Sequence, residues 1–118
     1  MENITQQKCT ACSGDSPPVT EEEIAQLKPQ IPEWNIVAVE GVSRLERIYA
    51  FPDFMTALAF TDSVGKEAEN QGHHPVLMTE WGKVTVTWWT HAIAGLHQND
   101  FIMAAKTDEI FTQFAENK

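Results

Sequence analysis

The run from Val76 to His91 constrains this chain most. It is rich in Val, Thr and Trp, and Gly82-Lys83 interrupts it near its middle. Branched and aromatic side chains fit a pleated surface, and a Gly-X pair suits a two-residue type II′ turn, whose first central residue needs a positive φ. The pattern predicts a β-hairpin with strands Val76 to Trp81 and Val84 to His91. Counting outward from that turn sets Trp81 opposite Val84, Thr79 opposite Val86, Leu77 opposite Trp88 and His74 opposite His91. Directly opposed residues carry Cβ atoms about 4.5–5.5 Å apart on one face of the sheet. Two imidazoles far apart in sequence then occupy one small volume, with His73 beside them at the strand entrance. The face bearing Leu77, Thr79, Trp81, Val84, Val86 and Trp88 is largely apolar and is expected to meet helices. Met78 and Trp89 lie on the other face with Val76, Glu80, Thr85 and Thr87, a mixture that suits a subunit interface or a pocket wall.

The segments on either side supply the helices and a second hairpin. Thr20-Glu21-Glu22-Glu23 is a capping box, with Thr20 as N-cap and Glu23 at the third helical position, and Val19 and Ile24 are placed as a hydrophobic staple. Pro29 and Pro32 end that first helix early. Trp34 to Val39 and Ser43 to Phe51 read as strands joined by a turn at Glu40-Gly41. Pro52-Asp53 opens a helix that reaches Gln71, with Phe54, Ala57, Leu58, Thr61, Val64 and Ala68 at three- and four-residue steps as its buried face. Gly72 ends it in the left-handed conformation. Ala92 to Gln98 read as a loop, His97 as a surface residue, and Asn99 or Asp100 as the cap of a last helix with Met103, Thr107, Ile110 and Phe114 on one stripe. The order α-β-β-α-β-β-α predicts an α+β fold, a four-stranded antiparallel sheet with helices packed on one face.

Three of the four histidines, His73, His74 and His91, fall within the hairpin region. Imidazole has an ordinary pKa near 6.5, so a cluster can place an acid on one side of a substrate and a base on the other. Glu69 adds a carboxylate in the last turn of the preceding helix, where the helix dipole disfavours it. On spacing alone the alternatives stay open: proton transfer, a zinc site built on three imidazoles, or histidines and a surface glutamate with only structural roles. Arg44 and Arg47 on the second strand are within reach of a substrate, although arginines there are more often solvated or paired.

The spacing Glu69-x3-His73-His74-Pro75, five residues to Trp81, nine to His91 and eight to Asp100 resembles the signature of the pterin-4a-carbinolamine dehydratases. The run Thr79 to Trp89 is similar to the bacterial branch that accompanies phenylalanine hydroxylase, and the resemblance extends from about Val19 to Phe114. It implies a 4a-hydroxytetrahydrobiopterin dehydratase, which removes water from a 4a-hydroxytetrahydropterin to give the quinonoid dihydropterin. It implies the same α+β fold, no metal and no cofactor, the pterin being substrate. His73, His74, His91 and Glu69 are then the catalytic candidates. His73 and His91 are proton donors to the hydroxyl, His74 orients the pterin, and Glu69 orients a histidine or accepts a proton. His74, Pro75, Asp100 and Trp89 are the substrate-binding candidates, with Asp100 most simply a cap that fixes the loop near His91. Two positions depart from the family pattern: Gly72, where an acidic residue is frequent, and Asn99, where Arg is frequent. The resemblance also implies a homodimer or homotetramer, with phenylalanine hydroxylase as a partner. The contrasting reading is a protein-interaction module or transcriptional coactivator acting on the hydroxylase system, and a third is a metal-dependent hydrolase.

Composition narrows the field. Seventeen acidic residues against eight basic ones give a formal charge of −9, which opposes direct binding to nucleic-acid phosphates and to anionic membranes. No apolar run approaches the ~20 residues of a membrane span, and Met1-Glu2-Asn3-Ile4 does not begin a secretory signal, so a cytoplasmic protein is expected. Residues 1–18 read as a flexible polar leader and 19–118 as one domain. The only cysteines, Cys9 and Cys12, form a CxxC in that leader. Without a second pair they are read as incidental, a dimer-bridging metal or redox role being the alternative.

Overall fold

The computed structural model describes residues 19–90 and 95–116. The expected leader, with Cys9 and Cys12, lies outside the described residues, and so does His91. The elements follow the expected order: α1 (Glu21–Leu27), a 3-10 turn (Lys28–Gln30), β1 (Asn35–Val39), β2 (Val42–Ala50), α2 (Phe54–Gln71), β3 (Val76–Glu80), β4 (Lys83–Trp88) and α3 (Gln98–Glu116). The strands form one antiparallel sheet in the order β1-β2-β4-β3, two hairpins joined through β2 and β4, with the helices on one face. No helix among the described residues is long and apolar enough to cross a membrane.

The helix starts are set by side chains that accept orphan backbone N–H groups. Thr20 and Glu23 form the expected reciprocal capping box of α1. Asp53 accepts from Thr56 N–H at the start of α2, and this bond holds its carboxyl below the usual carboxylate range. On α2 the buried residues are Ala57, Phe60, Val64 and Ala68. The expected face is thus rotated: Phe60 enters the core, while Phe54 and Leu58 are exposed beside Met55. Aromatic neighbours decide this. Phe60 lies 4.8 Å from the Tyr49 ring, 5.1 Å from Phe51 and 5.9 Å from Phe111, ring centre to ring centre, and burying such a side chain contributes roughly 1.5–3 kcal/mol.

The core face of the sheet is built from Leu45 and Tyr49 on β2 and Val84, Val86 and Trp88 on β4, all fully buried. It meets the Phe101–Ala105 stretch of α3, every residue of which is buried. At the far end of this interface Asp108 gathers three donors: Trp34 Nε1 at 2.9 Å, Arg47 at 2.7 Å and the Tyr49 hydroxyl. Arg47 is therefore ion-paired. Burial first, and the Asp108 carboxylate second, push the Tyr49 phenol far above its ordinary range.

The second hairpin differs from expectation in register. Its turn is Trp81-Gly82, not Gly82-Lys83, so Glu80 pairs with Lys83, Thr79 with Val84, Leu77 with Val86 and Val76 with Thr87. Gly82 has the positive φ, +77°, but at the second central position. Both turns satisfy a left-handed glycine, so sequence alone does not separate them. Lys83 is claimed by the ladder, where it pairs with Ala50 of β2, and Phe51 N–H donates to Gly82 O at 2.9 Å. The shift is by two residues, so each side chain keeps its face. Continued outward, this register sets position 89, not His91, opposite His74.

Candidate active site

The end of α2 delivers the histidine pair. Gly72, at φ +67°, occupies the left-handed position. Its N–H donates to Glu69 O at 3.2 Å, and the His73 N–H donates to Ala68 O at 3.1 Å. These two bonds make a Schellman motif, which satisfies the last carbonyls of the helix and turns the chain sharply. His73 is thereby held by its own backbone, and His74 follows on the way into β3.

His73 turns inward. Its ring stacks on Trp88, with centroids 5.6 Å apart and planes 9° from parallel. Trp88 is fixed in turn, its Nε1–H donating to Thr107 Oγ1 at 3.2 Å. His73 Nε2 lies 2.6 Å from Asp100 Oδ1, and Asp100 is completely buried. The second oxygen, Oδ2, accepts from Thr90 Oγ1 and from His97 N–H, each at 2.8 Å. A backbone N–H can only donate, so Oδ2 of Asp100 is an acceptor. With Asp100 as a carboxylate, Oδ1 likewise accepts, from the Nε2–H of His73.

The start of α3 corrects the expected cap. His97, not Asn99 or Asp100, is the N-cap: its Nδ1 accepts from Asn99 N–H at 3.1 Å. Asp100 is the third helical residue and returns the bond to His97 N–H, which completes a capping box around an imidazole. His97 is half-buried, so it is not the surface residue expected. Histidine in place of Ser or Thr hides this box from a reading of the sequence, although the spacing to Asp100 is the signal for it. Thr90 carries no such signal.

His74 turns outward. Its Nε2 lies 2.7 Å from Glu69 Oε1, and both side chains are exposed, 62% and 80% respectively. The fold thus sets two histidine–carboxylate pairs on consecutive residues, one buried and one open to solvent. Pro75 follows, half-buried, at the entrance to β3. Trp89 has the Arg44 guanidinium 4.0 Å over its ring, and it is Trp88 that stacks on His73. Among the described residues no group of three or more His, Cys, Asp or Glu side chains is arranged to hold a metal ion. The third imidazole of the zinc reading, His91, lies outside them.

The family model described as pterin 4 alpha carbinolamine dehydratase matches residues 17–110. A Gloeobacter violaceus protein, provisionally named pterin-4-alpha-carbinolamine dehydratase 1, is 63% identical over 111 residues, which is 94% of this chain and 96% of the relative. A Microcystis aeruginosa protein with the same provisional activity is 56% identical over 113 residues, 96% of this chain and 97% of the relative. Among solved structures, a transcriptional coactivator/pterin dehydratase from Brucella melitensis superposes with a TM-score of 0.71 at 31% identity, over 80% of this chain and 98% of that one.

Proposed function

The chain belongs to the pterin-4a-carbinolamine dehydratase family, and we propose that it dehydrates 4a-hydroxytetrahydropterin to the quinonoid dihydropterin, recycling the cofactor of an aromatic amino-acid hydroxylase. The observation that carries this reading is the pair of adjacent histidines with carboxylate partners of opposite exposure, His73 with Asp100 and His74 with Glu69. Dehydration requires two proton movements and no change of redox state. As the C4a–O bond breaks, the hydroxyl takes a proton from an acid and leaves as water. The ring-nitrogen lone pair forms the new C=N bond, and the proton of that N–H passes to a base. His73 is the proton donor to the hydroxyl in its imidazolium form, with Nε2–H held by Asp100 and the second proton on Nδ1, together with His91. His74 stands at the solvent side and orients the pterin, with Glu69 fixing its ring.

We further propose a homodimer or homotetramer and, as the partner system, phenylalanine hydroxylase. Support for self-association comes from the sheet face away from the helices, where Ile48, Val76 and Met78 are about half exposed.

The test is stopped-flow absorbance of 4a-hydroxytetrahydropterin dehydration by wild type, His74→Ala and the double variant His73→Ala/His91→Ala. A single acid–base group contributes roughly 10²–10⁴-fold. Acceleration by wild type that collapses in the double variant is expected. Folded wild type that gives no acceleration would refute the activity.

A further inference from the structure

We propose that Thr90 is a positioning residue for this site: its buried hydroxyl fixes the rotation of the Asp100 carboxylate, and through it the proton-bearing nitrogen of His73. The inference rests on the dehydratase reading for its kinetic part only. A carboxylate turns readily about its last side-chain bond, and its two oxygens are chemically alike. What makes them different here is that Oδ2 receives two donors, Thr90 Oγ1 and His97 N–H, both at 2.8 Å. That leaves Oδ1 for His73 Nε2 at 2.6 Å. With one donor lost, a rotated carboxylate meets the remaining donor almost as well, and the His73 contact loses its fixed length and direction.

Thr90 is built to hold such a group. Its backbone is fixed by two hydrogen bonds to Gly95, N–H to O at 2.8 Å and O to N–H at 3.3 Å. The residue is 3% exposed, so no water competes for the hydroxyl in a simple way. A β-branched side chain is stiff at its first torsion, so a fixed backbone delivers a fixed hydroxyl. Among the described residues its side-chain hydrogen bond goes to Asp100. Among the described residues its hydroxyl is joined to Asp100 and His73 is joined to the other oxygen of the same carboxylate, so Thr90 acts on the ring through Asp100.

Thr90→Val keeps the shape and the branching but deletes the donor. Thr90→Ser keeps the donor, and Thr90→Ala deletes it without asking a methyl to occupy the oxygen's place. A hydrogen bond to a charged group contributes enough that its loss corresponds to roughly a tenfold change. The expected result is a kcat for dehydration about tenfold lower in Thr90→Val and Thr90→Ala, KM unchanged, and Thr90→Ser within about twofold of wild type. The readout that a merely structural role would not move is nitrogen NMR of the His73 ring without substrate. There the Nε2–H signal shifts and broadens in the Val and Ala variants and returns in Ser. Unchanged His73 signals in both deletions overturn the proposal, as does a Ser variant impaired as much as Val. If wild type is inactive but the His73 signals respond as stated, the positioning role stands and the dehydratase reading falls.

Discussion

Changing Asp100 to Asn tests the buried pair most sharply, because it replaces one oxygen by a donor of the same shape. The asparagine has two orientations. In the first, its amide oxygen takes the Oδ2 place and accepts from His97 N–H and Thr90 Oγ1, while its NH2 faces His73 Nε2. In the second, the NH2 faces His97 N–H, donor against donor, in a site with no solvent access. The Thr90 hydroxyl can turn to accept, but the backbone N–H cannot, and an orphaned buried donor costs about 1–3 kcal/mol. The first orientation is therefore favoured roughly five- to a hundredfold. It forces His73 Nε2 to accept, so the ring keeps one proton, on Nδ1, and loses the carboxylate that sustains the imidazolium from which the proposed donation proceeds.

The fold should tolerate this. Only the charge assistance of the bonds at Asp100 is lost, and urea unfolding is expected to show a decrease of about 1–2 kcal/mol. Activity should not tolerate it: inverting the tautomer of a triad histidine costs about 10⁴-fold in serine hydrolases, so dehydration is expected to slow by roughly 10²–10⁴-fold. Nitrogen NMR reads the tautomer, stopped-flow absorbance reads the rate. A variant with the inverted tautomer and undiminished rate would refute the role of His73 as proton donor. A variant whose His73 keeps its proton on Nε2 would refute the hydrogen-bond reasoning itself.

Tyr49 is the chain's single tyrosine, and its phenol is raised by burial and by Asp108. A raised folded-state pKa adds stability that is complete below about pH 10, the unfolded value, and is lost as pH rises above it. Wild type should lose urea resistance above that pH and Tyr49→Phe should show a flatter alkaline limb; parallel limbs would contradict the assignment. Asp53 has the opposite sign, since the Thr56 N–H lowers its carboxyl. Its contribution is present above about pH 3.9 and lost as pH falls through the lowered folded value, so Asp53→Asn, which caps without titrating, should have a shallower acid limb in the same titration. Gly72→Ala places a side chain at φ +67° with no atom within 4 Å of the new Cβ. Its cost is conformational only, about 1–2 kcal/mol by thermal unfolding, and Gly72→Asn should cost less; equal losses would point to a steric cause instead.

The elements were legible where a local rule decides them. Thr20 with Glu23, Asp53 and Gly72 each satisfy orphan groups of their own helix, and such signals lie within a few residues. Register was not, because a left-handed Gly82 serves either turn and the choice was made by the pairing of Lys83 with Ala50 from another hairpin. The buried face of α2 is likewise chosen by distant partners. Phe54, Leu58 and Phe60 are equally apolar, and only the aromatic rings of β2 and α3 select Phe60. In the candidate site, the histidines and Glu69 stand out by type and spacing, whereas the links that hold His73 run to Asp100 and from Asp100 to Thr90, residues that meet only once α3 has docked on the sheet.

Those links also explain why the site lies where it does. The end of α2, the end of β4 and the start of α3 meet there, and each end leaves backbone groups that a buried junction must satisfy. The groups that answer this need are the ones to which the proposed chemistry falls. Asp100 closes the capping box of α3 and holds His73 with its other oxygen. The Schellman bond of the His73 N–H ends α2 and aims the imidazole at Trp88. Removing either side chain outright would lower stability and activity together, and such data could not assign a role. Only substitutions that keep the shape and change one donor or acceptor, as Asp100→Asn and Thr90→Val do, separate what the junction needs to fold from what the imidazole needs to move a proton.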